Sequence, residues 1–308
     1  MTPLPTGIVP ILQTPFDADD SIDIASFTCL VEDAVTVGAA GLVFPAFASE
    51  VHSLRFDERS DLLTALTNQV AGRVPIIAGL TAAQAADSRM LAEQAASVGA
   101  SGLLICPTPD VLASEDALIA YLRSMIGRID LPVILQDLDW TGPGLAIETI
   151  RRITQTLPNV RGIKIETVPA GPKYSAIKDA TQGRLHVSGG WAVTQMLDAL
   201  ERGVDALMPE ASMVGVYRRI WDHYHRGNRQ AASNLFDRIA PVLLFANQHI
   251  DVSIQFFKRV LHARGIFRTT RCRGIERPLD EVQAEYADRL AARVADLIDS
   301  LTQTNAGS

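Results

Sequence analysis

Lysine is scarce in this chain: Lys164, Lys173, Lys178 and Lys258 are the only four in 308 residues. Cysteine is scarcer still, and Cys29, Cys106 and Cys272 form an odd set at wide spacings. Such a set points neither to a disulfide framework nor to a zinc site. The six histidines lack metal-ligand spacing, His223 and His225 standing two apart in an amphipathic stretch, so no metal is expected. The opening MTPLPTGIVPILQTPF has no basic leader, and no apolar run approaches about 18 residues. No membrane partner and a cytoplasmic location are therefore expected. Positive charge is not in excess either, the formal net charge being −7, which argues against a nucleic-acid partner, because phosphates call for clustered Lys and Arg. The arginines do gather at Arg218 and Arg219 and again at Arg268, Arg271 and Arg273. Acids and apolar residues dilute both groups, and a solvated or interfacial surface is expected there. No Gly-x-Gly-x-x-Gly follows the first apolar run, which removes the phosphate loop that a dinucleotide-binding fold requires.

What the chain has is a recurring unit. An amphipathic helical stretch ends in Gly, and a short apolar run follows. Val37 to Phe44, Val98 to Ile105 and Gly203 to Met208 are three copies. The glycine suits a left-handed helix terminus, and the apolar run suits a strand covered on both faces. Further runs at Val74–Ala78, Leu131–Leu135, Val160–Lys164 and Arg184–Val187, with Gly7–Leu12 at the start, bring the count to about eight. Short buried strands alternating with helices mean parallel β-α-β units, and eight of them predict a closed (β/α)8 TIM barrel, an α/β fold. After residue 209 the pattern is purely helical, with segments near 211–224, 228–246, 249–264 and 278–302. The expected organisation is a barrel over 1–224 and a helical C-terminal extension over 225–308 packed on it, with disorder from Thr304 to Ser308.

In such a barrel the chemistry stands at the C-terminal ends of the strands. Those ends carry Gln13 and Thr14, Ala46 to Glu50, Gly79, Pro107 and Thr108, Gln136 and Asp137, Lys164 and Glu166, Ser188 to Gly190, and Pro209. Lys164 is the one lysine inside an apolar strand; the other three lie in stretches that read as helical or surface. Loss of hydration there disfavours the ammonium and favours an amine that can attack a ketone carbon. Strand alternation places Glu166 on the same face, two residues on, where a carboxylate could move protons beside an imine. The competing reading is a buried structural ion pair of Lys164 with Glu166 or Asp137. Asp137 could equally cap a loop, Glu50 could bond backbone amides, and His52 and Trp140 could line or merely cover the barrel mouth.

Over residues 7 to about 300 the chain resembles the dihydrodipicolinate synthase and N-acetylneuraminate lyase superfamily. Gly7-Ile8-Val9-Pro10 followed by Thr14-Pro15-Phe16 is similar to the family's first strand, Gly162-Ile163-Lys164 to its Schiff-base lysine motif, and Ser188-Gly189 to its seventh-strand pair. The resemblance implies a covalent imine on Lys164 with no other cofactor, a small 2-keto acid as ligand, and a homotetramer or homodimer.

The departures bear on the reaction. Where the family's second strand ends Gly-Thr-Thr-Gly-Glu, this chain has Ala46-Phe47-Ala48-Ser49-Glu50. Pro107-Thr108-Pro109 replaces Pro-Tyr-Tyr, Gln136-Asp137 replaces the Tyr-Asn pair holding the relay tyrosine, and Asp139-Trp140-Thr141 replaces the following arginine. These losses speak against dihydrodipicolinate synthesis. Enzymes resembling L-2-keto-3-deoxyarabonate dehydratase share Ser-Glu, Gln-Asp and Lys-Ile-Glu-Thr, here Ser49-Glu50, Gln136-Asp137 and Lys164-Ile165-Glu166-Thr167. The expected function is a Schiff-base hydro-lyase acting on a 2-keto-3-deoxy sugar acid. Lys164, Glu166 and Gln136 would be catalytic, and Ser49, Ala48, Glu50, Asp137, Ser188 and Gly189 would bind substrate. A pyruvate-dependent class I aldolase is the rival, and a non-catalytic keto-acid-binding barrel the remoter one.

Overall fold

Each of the apolar runs becomes a short parallel strand in the computed structural model, which describes residues 3–81 and 85–306. The strands are β1 Gly7–Ile8, β2 Leu42–Phe44, β3 Ile76–Gly79, β4 Gly102–Ile105, β5 Val133–Asp139, β6 Val160–Thr167, β7 His186–Gly189 and β8 Ala206–Leu207. They hydrogen-bond in the order β1-β8-β7-β6-β5-β4-β3-β2. Bonds from Ala40 N–H to Ile8 O (2.8 Å) and Val43 N–H to Pro10 O (2.9 Å) join β2 back to the residues beside β1. The sheet thus curls round on itself as the eight repeated units required.

The helices between strands are α1 Ile24–Thr36, α2 Phe56–Val70, α3 Ala85–Ser97, α4 Glu115–Ile126, α5 Ile147–Thr156, α6 Gly171–Thr181, α7 Met196–Glu201 and α8 Val214–His225. Side-chain caps start two of them: Asp23 accepts from Ser26 N–H and Ser114 from Ala117 N–H, satisfying donors left orphaned at a helix start. Gly38, Gly99 and Gly203 have φ of +90°, +87° and +66°, the left-handed turn expected where the repeated units pass from helix to strand. Strand alternation sorts the apolar side chains into two sets. Val9, Ile11, Val43, Ile77, Leu104, Ile134, Ala206 and Met208 fill the barrel, while residues such as Leu42, Leu103, Leu135 and Val187 meet the helices outside it.

Beyond the barrel come α9 Arg229–Ala246, α10 Ile250–Ala263 and α11 Glu281–Ala306. Helix α9 packs on α8, and α10 on both α9 and α11. The last helix continues to Ala306, past the helical segment expected near 278–302 and through Thr304 to Ala306, where disorder was expected; no Gly or Pro interrupts it before Gly307. Gly307 and Ser308 lie outside the described residues. No described helix is long and apolar enough to cross a membrane.

Two groups placed at the surface by their sequence context are inside. Lys258 on α10 is fully buried and pairs with Glu50; its Nζ also donates to Arg271 O (2.7 Å) and sits 4.4 Å from the centre of the Phe16 ring. Arg273 forks onto both oxygens of Glu58 (2.9 and 3.0 Å), and its guanidinium carbon also lies over the Phe16 ring, 4.2 Å from the ring centre. Arg268 and Arg271 are exposed, as expected. The apolar residues around these cations hid the role from composition, because their partners lie more than 200 positions away. Removing one member of a buried pair leaves the other charge unpaired, at a cost of about 3–5 kcal/mol. Lys258→Ala should destabilise the fold by roughly that much in urea or thermal unfolding.

Candidate active site

The register of β5, β6 and β7 sets Gln136 beside Lys164 and Lys164 beside Ser188. The three stand in one layer, facing the barrel axis. Two residues further along β6, Glu166 turns the same way, and its Oε1 lies 3.1 Å from Lys164 Nζ. Gln136 Nε2 donates to the other oxygen, Oε2, and the backbone N–H of Trp191 donates to Oε1 at 2.6 Å. Lys164 is 1% exposed and Glu166 7%. A carboxylate held by two fixed donors and touching an amine can take a proton from that amine and return it.

Gly190 makes this packing possible. A Cβ there would fall 2.2 Å from Glu166 Oε1 and 2.5 Å from Lys164 Cε. Gly190→Ala must therefore push aside the two groups that would react. Misplacement by about 1 Å costs on the order of 10²-fold in rate. The expected result is a loss of turnover on that scale, with a melting temperature close to wild type.

The rest of the wall is aromatic and apolar except for Ser253 and Glu210. Ile11, Phe47, Ala48, Trp140, Trp191, Met208, Ile250, Ser253 and Glu210 close a cavity of about 40 Å³ with Gln136, Lys164 and Glu166. Trp140 and Trp191 overlap with ring centroids 4.1 Å apart, and Phe47 meets Trp140 edge-on at 6.4 Å. His52 stands behind Phe47, its ring centroid 5.4 Å away, and burial lowers its pKa.

Not every anticipated group faces this cavity. Asp137 is one step out of phase with Gln136, so its carboxylate points away from the axis. There it accepts from Leu145 N–H (2.9 Å) and pairs with Lys173 on α6. Glu50 adopts φ +57° and is consumed by Lys258 and by the backbone N–H of Arg273 (2.6 Å); burial pushes its carboxyl up. The Ser49 hydroxyl donates to Leu12 O (2.5 Å) and accepts from Ala46 N–H (3.0 Å), tying the short turn Phe47–Ser49 to the segment that follows β1. Ser188 Oγ donates to Ile163 O at 3.2 Å. Gly189 leaves room for the Tyr174 hydroxyl, 2.6 Å from where a Cβ would stand. Cys106 is buried nearby with its thiol pushed up to about 12, which leaves it protonated and a poor nucleophile. Among the described residues no group of three or more His, Cys, Asp or Glu could hold a metal ion.

Glu210 was missed by the sequence reading, which stopped one residue short at Pro209. Its Oε2 accepts from Gln13 Nε2 (3.0 Å) and Ser212 N–H (2.5 Å), and its Oε1 from the Tyr217 hydroxyl (3.1 Å). Burial raises this carboxyl while those donors lower it. Trp191 and Ser253 were missed as well. One follows the Ser-Gly-Gly turn, and the other sits in a helix of the extension, where nothing in the local pattern marks a barrel-mouth residue.

Known proteins place this chain in a family. The sequence profile of the Dihydrodipicolinate synthetase family matches residues 4–297, and the chain belongs to that family. The 4-hydroxy-tetrahydrodipicolinate synthase of Xanthomonas campestris pv. campestris is 30% identical over 298 residues, 95% of each chain. That of Methanosphaerula palustris is 28% identical over 287 residues, 91% of this chain and 94% of its own. Among solved structures, dihydrodipicolinate synthase from Rhodopseudomonas palustris superposes with a TM-score of 0.86 at 24% identity, covering 94% of this chain and 97% of its own. A prophage protein of the dihydrodipicolinic acid synthase family from E. coli K12, in complex with pyruvate, gives 0.84 at 21% identity, with 94% and 98% covered.

Proposed function

We propose that the chain is a lyase that forms a Schiff base through Lys164 and dehydrates a 2-keto-3-deoxy sugar acid such as 2-keto-3-deoxyarabonate. The observation that carries this is the Lys164–Glu166–Gln136 cluster, in which a carboxylate touches the amine and an amide stands where the family's relay tyrosine would be. Lys164 gives a proton to Glu166 and adds to the C2 ketone; Glu166 returns that proton to the carbinolamine oxygen, which departs as water and leaves an iminium, the electron sink that makes a further cofactor unnecessary. Glu166 removes a C3 proton to form the enamine. The enamine expels the C4 hydroxyl, which takes the proton back from Glu166 and departs as water. For a five-carbon substrate, proton shifts along the conjugated chain and hydrolysis give 2-oxoglutarate semialdehyde.

The substrate carboxylate would bond to the amides of Phe47 and Ala48, the first N–H groups of the turn that Ser49 ties down, with Ser188 and Gly189 shaping the adjoining wall. Glu50 and Asp137 would support the site by holding its loops. A cavity of about 40 Å³ takes only two or three waters at roughly 15 Å³ each. Substrate entry would therefore part Trp140 from Trp191. A homotetramer or homodimer is proposed on the family's pattern; Leu244 and Val282, 71% and 75% exposed on α9 and α11, are apolar surface that such an assembly would cover.

The relatives are named 4-hydroxy-tetrahydrodipicolinate synthases, and a second reading is a class I pyruvate-dependent aldolase or dihydrodipicolinate synthase-like enzyme, the aldolase using the same imine but cleaving C3–C4. Incubation with 2-keto-3-deoxyarabonate separates the two. The dehydratase yields a semialdehyde product and no pyruvate by lactate dehydrogenase coupling. Stoichiometric pyruvate release would establish the aldolase instead.

A further inference from the structure

Two polar groups in the cavity wall have no task in the steps above. Glu210 follows β8, and its carboxylate is bonded by Gln13, Ser212 and Tyr217, all neutral donors. Each carboxyl oxygen carries two lone pairs, so Oε1, which meets only Tyr217, has one acceptor position left. Ser253 lies on α10, one turn after Ile250, and both residues line the cavity. Its amide donates to His249 O (3.0 Å), but its hydroxyl has no protein partner among the described residues. A hydroxyl that lines a cavity and is not tied to the protein can exchange its water for a ligand group. The cavity has one cation only, Lys164, and that charge passes into the iminium. Among the described residues no guanidinium or second ammonium lines the wall.

We propose that Glu210 and Ser253 form the subsite for the far end of the substrate, selecting a neutral, hydroxyl-bearing tail and rejecting a second carboxylate. The tail hydroxyl donates to Glu210 Oε1 and accepts from Ser253 Oγ. A ligand ending in a carboxylate would bury an uncompensated charge among Glu166, Glu210 and the tryptophans, which is costly without a partner. The inference rests on the Schiff-base reading and narrows its substrate class to 2-keto-3-deoxy acids of the aldonate type. It also gives the C-terminal extension a part in specificity, since Ser253 comes from outside the barrel.

The test uses the full-length protein, Ser253→Ala and the isosteric Glu210→Gln. Each is assayed for kcat/KM on 2-keto-3-deoxyarabonate and on a 2-keto-3-deoxy acid of equal length ending in carboxylate. Each is also assayed for the rate of borohydride trapping with pyruvate, which has no tail. A hydrogen bond to a charged group supports a change of about 10- to 100-fold. The ratio of arabonate-acid turnover to pyruvate trapping should fall by that factor in both variants, and the wild type should prefer the neutral tail by about 100-fold or more. An unchanged ratio, an equal fall in both assays, or a wild-type preference for the dicarboxylate overturns the subsite. Pyruvate that fails to trap on the wild type overturns the Schiff-base reading itself, and the subsite with it.

Discussion

Lys164→Ala should abolish turnover, by on the order of 10⁴- to 10⁶-fold, the range seen when a covalent nucleophile is removed. Among the described residues Lys164 is the only lysine lining the cavity, and no other lysine can reach the ketone. Lys173 is occupied by Asp137 outside the barrel axis, Lys258 by Glu50 under the second loop, and Lys178 by Asp205 at 3.2 Å. Lys164→Arg should not rescue the activity, because a guanidinium stays protonated and cannot form the imine. The alanine variant loses the ion pair but keeps the Gln136 and Trp191 donors on Glu166. Circular dichroism should therefore show a folded barrel. Near-normal rates from a folded Lys164→Ala protein would leave the cluster a structural ion pair and nothing more.

Glu166→Gln should lower dehydration by about 10²- to 10⁴-fold, the usual cost of losing a general base, while the protein still captures substrate under borohydride. Its amide has nearly the same shape and can still accept from Trp191 N–H, so the pocket should keep its form. What it cannot do is take the C3 proton. Gln136→Ala should cost less, mostly in KM, because an amide does not exchange protons near neutral pH and Gln136 acts by holding Glu166. Normal turnover in Glu166→Gln, with loss in Asp137→Asn, would move the base to the fifth strand. The geometry opposes that, since Asp137 faces Lys173 and Leu145 and not the amine.

The sequence made the barrel and its lysine legible for the same reason: local patterns that repeat. Glycine-ended helices and short apolar runs recur in register with the strands, and a lysine inside such a run stands out because an ammonium is costly to bury. Glu166 could be placed because strand alternation is a local rule. The errors come where one residue of phase or one distant partner decides. Asp137 is adjacent to Gln136 yet faces the other way, and Glu50 belongs to Lys258 and Arg273, more than 200 residues on. Ser253 could not be read at all, because only the packing of α10 over the barrel mouth brings it to the site. The Ser49 hydroxyl was expected to meet the ligand; it serves instead to fasten the turn whose free amides do so in the proposed mechanism.

The most direct test is borohydride reduction in the presence of pyruvate, read by intact mass and then by peptide mapping. The account predicts one stable pyruvyl adduct per chain, located on the peptide containing Lys164 and absent from Lys164→Ala. No adduct on the wild type, or an adduct mapped to Lys173, Lys178 or Lys258, would contradict it.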